Sequence, residues 1–114
     1  MADCLFCQIS EKKIPAKIVL ENNLVLAFRD INPQAPTHLL IIPRVHISSI
    51  LELTKDNASI AAEMILLAKS IAQSEGADAS GFRLVFNCGP HAGQSVDHLH
   101  LHLLAKRVLK WPPG

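Results

Sequence analysis

At 114 residues the chain has room for one domain with a core and none for a second. With 49% hydrophobic residues, 18% charged residues and a formal net charge of +1, it lacks the electrostatic field of a broad nucleic-acid or membrane binder. A small molecule or another protein is the expected partner.

The opening "MADCLFCQIS" has an acid at Asp3 and no long apolar run, so it does not read as a signal peptide. No later segment is long enough to span a bilayer, and a cytoplasmic location is expected. Three cysteines, an odd number, argue against a disulfide framework. Cys4 and Cys7, spaced C-x-x-C, suit a metal or redox pair, with two small buried side chains as the plainer alternative.

Next come three short apolar or alternating runs, "KIVLE" (17–21), "LVLAFRD" (24–30) and "HLLIIP" (38–43), separated by the turn-rich "NN" and "INPQAPT". They read as successive antiparallel strands. From Thr54 to Glu75, Ile60, Ala61, Met64, Ile65, Ala68, Ile71 and Ala72 follow the spacing of an amphipathic helix. Thr54 or Asp56 would cap it and Gly76 would end it. "FRLVFN" (82–87) makes a fourth strand, the loop "CGPHAGQS" follows, and a histidine-rich strand is fifth. The order β-β-β-α-β-β implies an α+β fold with an antiparallel sheet and one long helix packed on a face.

In the last strand, "SVDHLHLHLL" (95–104), His98, His100 and His102 alternate with leucines. Alternate residues of a strand share a face, so the rings would stand in a row roughly 7 Å apart with Leu99, Leu101 and Leu103 buried behind them. A helix would scatter the rings. Two chemistries suit such a row. Zinc across the three rings is one, but the order H-x-H-x-D-H is missing because Asp97 precedes the histidines. The other is a histidine nucleophile attacking phosphorus, which needs one neutral imidazole, a group holding its other nitrogen, and donors for the phosphate oxygens. The upstream "GPHAGQS" offers backbone N–H groups together with Gln94 and Ser95.

"GQSVDHLHLHLL" is similar to the H-φ-H-φ-H-φ-φ signature (φ apolar) of the histidine triad (HIT) superfamily. "FRDINPQAPTHLLIIPRVH" and the terminal "WPPG" resemble its Hint branch, the histidine triad nucleotide-binding proteins, and the likeness runs from "IPAKIV" to Gly114. The resemblance implies a HIT-like fold, five antiparallel strands with one long and one short helix, in a two-fold homodimer. It also implies hydrolysis of nucleoside phosphoramidates such as adenosine 5′-monophosphoramidate through a nucleotidyl-histidine, with no catalytic cofactor. On that pattern His100 is the nucleophile, while His102 contacts the phosphate oxygens and, with Ser95, assists departure of the amine; His38 and His98 lie near the centre. Asp30 would take the ribose hydroxyls, Phe6, Ile9, Phe28 and Ile31 the purine base, and Asn87, Gly93 and Gln94 the phosphate or ribose side. Without the resemblance the four apolar residues read equally well as core, and Asp30 as the cap of the "INPQAP" turn.

Some branches of the superfamily bind a structural zinc through a C-x-x-C pair, a histidine after the third strand and the first triad histidine. Those positions are Cys4, Cys7, His46 and His98 here. The resemblance also has two departures: Ala105-Lys106 stands where relatives have Gly-Gly, and Asp97 where an aromatic residue is usual. The rival functions are a nucleotide-binding regulatory or scaffold protein with incidental hydrolysis, and a dinucleoside polyphosphate hydrolase or nucleotidyl transferase of the same superfamily. The full set of triad histidines and the "WPPG" ending favour a phosphoramidase acting on AMP- or GMP-type purine nucleotides.

Overall fold

The computed structural model describes residues 3–114. Each strand-like run becomes a strand: β1 (Ile18–Glu21), β2 (Val25–Arg29), β3 (Thr37–Pro43), β4 (Phe82–Phe86) and β5 (Leu101–Ala105). They form one sheet in the order β1-β2-β3-β5-β4, with every neighbouring pair antiparallel. The long helix α2 (Ser59–Ser74) carries the chain from β3 to the far edge, so β5 returns into the gap between β3 and β4. The histidine strand is therefore hydrogen-bonded on both sides.

Strand alternation gives the sheet two different faces. On one, Val25, Ala27, Leu39, Ile41, Leu101 and Leu103 pack with Met64, Ala68, Ile71 and Ala72 of α2 in the larger core. Burying each leucine there contributes roughly 1.5–3 kcal/mol. On the other face, Leu26, Phe28, Leu40 and Ile42 form a smaller core with Phe6 and Ile9 of the short helix α1 (Leu5–Ser10). Leu40 lies opposite His102 on this second face, and His38 is two residues before Leu40. Six residues cannot sustain a helix in water by themselves. Burial of Phe6, Cys7 and Ile9 supports α1, and the Cys4 sulfur caps it by accepting the Cys7 N–H at 3.4 Å.

Two sequence expectations are corrected. The helix begins at Ser59 rather than Thr54, because the polar residues offered as caps close a turn of their own. Thr54 N–H donates to Asn57 Oδ1 at 2.7 Å, Asp56 N–H to Thr54 Oγ1 at 3.2 Å, and Ala58 N–H to Thr54 O at 2.8 Å. The second correction concerns the histidine row, whose ladder starts only at Leu101 and leaves His98 and His100 outside the strand. Their segment is pinned instead by Leu99 N–H donating to Ile47 O at 2.6 Å. The in-out alternation survives, since Leu99, Leu101 and Leu103 are all buried.

At the C-terminal end of α2, Glu75 accepts hydrogen bonds from Arg29 of β2 and, at 3.2 Å, from the Thr37 hydroxyl of β3. Those bonds hold its carboxyl below the usual carboxylate range, Arg29 contributing most. Among the described residues no helix is long and apolar enough to cross a membrane.

After β5 the chain turns at Lys106 with φ 72°, a left-handed conformation that costs an L residue roughly 1–2 kcal/mol and glycine almost nothing. Glycine at this position relieves that strain at the expense of some unfolded-state entropy. Lys106→Gly is expected to stabilise the protein by about 0.5–1 kcal/mol, read as a thermal midpoint a few degrees higher. An unchanged or lower midpoint would show that the turn is not strained.

Candidate active site and metal centre

The sheet face that carries α1 gathers the histidines, and their tautomers follow from the main chain around them. Gln34 N–H donates to His38 Nδ1 at 3.0 Å, so neutral His38 bears its proton on Nε2. That nitrogen lies 2.9 Å from His102 Nδ1 and 3.4 Å from Asp30 Oδ2. His38 thus donates to His102, whose own proton is left on Nε2. Burial lowers the pKa of His38 against the opposing pull of Asp30, and it pushes His102 down to about 4 with help from His100 and His38. Both rings are neutral at pH 7.

Asp30, His38 and His102 also place their ligating atoms within 4.8 Å of one another. A metal on His38 Nε2 would force the proton onto Nδ1, against the Gln34 N–H. The geometry of the trio thus suits holding a proton better than holding a metal.

The depressed pKa values have a definite consequence for stability. In the unfolded chain these imidazoles protonate near pH 6.5, whereas in the fold they stay neutral to lower pH. Their stabilising contribution is present above about pH 6.5 and is lost as pH falls toward the folded values. The thermal midpoint should drop by several degrees between pH 7 and pH 5, and a flat profile would contradict the buried relay.

His100 is held differently. Its Nδ1–H donates to the carbonyl of His98 at 2.7 Å, which leaves Nε2 as the basic nitrogen. Among the described residues Nε2 has no partner, and no fully buried side-chain nitrogen or oxygen is left unsatisfied, so this atom reaches solvent. The His100 ring lies 5.1 Å from the His102 ring and 5.2 Å from Phe6, measured between centroids.

Beside the relay opens a cleft of about 620 Å³ lined by Pro15, Lys17, Arg29, Asp30, Ile31, Pro33, Pro36 and His38 among others. Of the four apolar residues expected at the base, Ile31 lines this cleft and is completely exposed, while Phe6, Ile9 and Phe28 are buried in the small core. An isoleucine left wholly in water is apolar surface for a ligand to cover. Gln94 spends its side chain on the backbone: its amide nitrogen donates to Ser48 O (2.8 Å) and Val96 O (3.1 Å), and its Oε1 accepts from Gly89 N–H (3.0 Å). It braces the loop that Gly89 and Gly93 turn at φ 84° and 81°. Ser95 is exposed on that loop and bonded to no triad imidazole, Asn87 is half-buried just after β4, and Asp97 faces solvent.

The second cluster lies on the other side of His100. Cys4 Sγ is 3.3 Å and Cys7 Sγ 3.5 Å from His98 Nδ1, and Cys7 Sγ is 3.3 Å from His46 Nδ1. All four ligating atoms lie within 4.8 Å of one another. A tetrahedral zinc with ordinary bond lengths has sulfur–nitrogen edges of about 3.6 Å, so the donors fit such an ion. His98 is fully buried, and its Nε2–H donates to Pro43 O at 2.9 Å, which turns the lone pair of Nδ1 onto the two sulfurs. Burial and the neighbouring Cys4 push the Cys7 thiol up to about 11, so an ion bound here would have to displace its proton.

Gln34 and Pro43, whose backbone groups set the tautomers of His38 and His98, went unnoticed in the sequence, as did Lys17 and Arg29 in the cleft. A backbone donor leaves no mark in a residue pattern. The proline-rich "INPQAPT" was the one available signal, since such a run folds back on its own flanks.

Known proteins are similar to this chain in sequence and fold. The HIT domain model matches residues 11–109. A 14 kDa zinc-binding protein of Zea mays is 46% identical over 112 residues, covering 96% of this chain and 87% of the maize protein. The crystal structure of a HIT family hydrolase from Legionella pneumophila has a TM-score of 0.96 and 52% identity, covering 98% of this chain and 100% of that one. A histidine triad nucleotide-binding protein from Candida albicans has a TM-score of 0.84 and 29% identity, covering 94% and 77% of the two chains. With the HIT domain model matching residues 11–109, the chain belongs to the HIT domain family.

Proposed function

We propose that this protein is a purine nucleoside phosphoramidase of the Hint branch, working as a homodimer through a nucleotidyl-histidine. The observation that carries the reading is the 2.7 Å bond from His100 Nδ1–H to the His98 carbonyl, which leaves Nε2 unpartnered beside a neutral His102 that can only donate outward. In the first step Nε2 forms a bond to phosphorus as the P–N bond to the amine breaks. The relay of His102, His38 and Asp30, with Ser95, draws a proton from solvent and passes it to the departing amine. Water then breaks the P–Nε2 bond and returns that proton. Asp30 takes the ribose hydroxyls, Ile31 covers the base with Phe6, Ile9 and Phe28 behind it, and Asn87, Gly93 and Gln94 shape the phosphate side. Cys4, Cys7, His46 and His98 hold a structural zinc that ties the N-terminal segment to the sheet, a role in keeping with the maize relative's name. Thiols in this state suit a reducing cytoplasm.

The dimer reading rests on exposed apolar surface. Ile65 and Leu66 of α2, Phe82 on the edge strand β4, and Val108 and Trp111 of the tail all stand in water in one copy. Trp111 is 83% exposed, so it is not tucked into its own subunit, and a partner's active site is its proposed dock.

One kinetic comparison tests activity and tail together. Adenosine 5′-monophosphoramidate, a diadenosine polyphosphate and a sugar-nucleotide donor are offered to the full chain and to a chain ending at Lys110. The phosphoramidate should give the highest kcat/KM, and truncation should reorder amine leaving groups more than it changes AMP binding. Preference for the polyphosphate would assign another branch, and AMP binding without any turnover would favour a regulatory nucleotide binder.

A further inference from the structure

We propose that the Cys4–Cys7–His46–His98 centre is a positioning element for the reaction, aligning both the nucleophile and the apolar side of the site. This rests on the reading above that the centre holds an ion and that His100 attacks. Two short connections lead from the centre to His100.

The first runs through His98. Both ring nitrogens of this buried residue are engaged, Nδ1 with the two sulfurs and Nε2–H with Pro43 O. The ring cannot turn without breaking the centre. The carbonyl of the same residue accepts the His100 Nδ1–H at 2.7 Å, so the group that selects the nucleophile's tautomer belongs to a ligand residue. An ion that fixes the ring of His98 restrains the Cα from which that carbonyl extends, and the Leu99 N–H bonded to Ile47 O at 2.6 Å orients the same peptide plane.

The second runs through Phe6, which sits between Cys4 and Cys7 on α1. Its ring meets three others edge-on: His98 at 6.0 Å, His100 at 5.2 Å and Phe28 at 5.5 Å. The helix is six residues long and rests on the burial of Phe6, Cys7 and Ile9, so the two sulfurs that flank Phe6 add a further restraint on where its ring lies. Losing the ion frees His98 and α1 together. A centre that merely stabilised the fold would leave the His100 ring unaltered in molecules that are still folded.

The test compares zinc-loaded full chain, chelated full chain, His46→Ala and Phe6→Leu, each shown by circular dichroism to be folded at the working temperature. His46 is chosen because its ring meets Cys7 and His98 but not His100. Phe6→Leu keeps all four donors and an apolar side chain in the small core. Nitrogen-edited NMR of the imidazoles reads the tautomer of His100, and calorimetry reads the affinity for AMP.

In the loaded chain His100 should hold one tautomer with the proton on Nδ1. In the chelated chain and in His46→Ala it should average between tautomers, with AMP affinity about tenfold weaker or more. Added zinc should restore the chelated chain but not His46→Ala. Phe6→Leu should weaken AMP binding without loss of zinc. A chain that binds no zinc, or one whose His100 signals are the same loaded and stripped with AMP affinities within about twofold, would overturn the proposal. If the loaded chain ignored AMP while His100 still answered to zinc, the nucleotide reading would fail and the positioning role would stand.

Discussion

His100→Ala is expected to lower phosphoramidase turnover by at least about 10³-fold while leaving AMP affinity within a few-fold of the parent chain. Among the described residues the ring is the one imidazole at the site whose basic nitrogen has no protein partner, so on the proposed mechanism removing it deletes the atom that attacks phosphorus. On the proposed reading ground-state binding rests on other residues, namely Asp30, Ile31 and the loop braced by Gln94, and should persist. Mass spectrometry of a rapidly quenched parent reaction should also reveal a nucleotidyl adduct on the peptide carrying His100. Near-normal turnover in the variant, or an adduct on another residue, would remove His100 as nucleophile.

Chelation is expected to have the next largest effect. Protein purified without chelator should contain one zinc per chain, and with free ion about a thousandfold above its dissociation constant the bound form gains about 4 kcal/mol over the stripped form. For a chain of this size that is a fall of about 15 °C in the thermal midpoint on chelation. Cys4→Ser should reproduce much of the loss without chelator, because it removes a sulfur donor while its hydroxyl can still cap α1. Elemental analysis finding no zinc, or a midpoint indifferent to chelator, would leave the four residues as a buried polar cluster only.

Much of the architecture was legible because burial has a period. Leu99, Leu101 and Leu103 face one core and His102 the other way, as alternation demands, and Met64, Ala68 and Ile71 fall on one face of α2. The four metal-ligating positions were legible through resemblance, and the fold brings them within 4.8 Å. What stayed hidden depends on backbone groups, which every residue carries alike. Whether His98 and His100 belong to the strand was decided by where Leu99 N–H finds its acceptor, and the choice fell on Ile47. Thr54 and Asp56 were sound cap residues by type, but Asn57 accepts the Thr54 N–H and Thr54 the Asp56 N–H, closing a turn before the helix begins at Ser59. The proton positions on His38 and His100 follow from Gln34 N–H and the His98 carbonyl, neither of which depends on side-chain identity.

Pro15, Pro33 and Pro36 all contribute to the wall of the cleft beside Asp30 and His38. Each has its φ locked by the pyrrolidine ring, so that part of the rim surrenders little freedom when something settles against it. A socket stiffened in advance spares its ligand the entropic penalty of ordering loops. Recognition at this rim is then a matter of shape already present, and a product can leave without waiting for these segments to open.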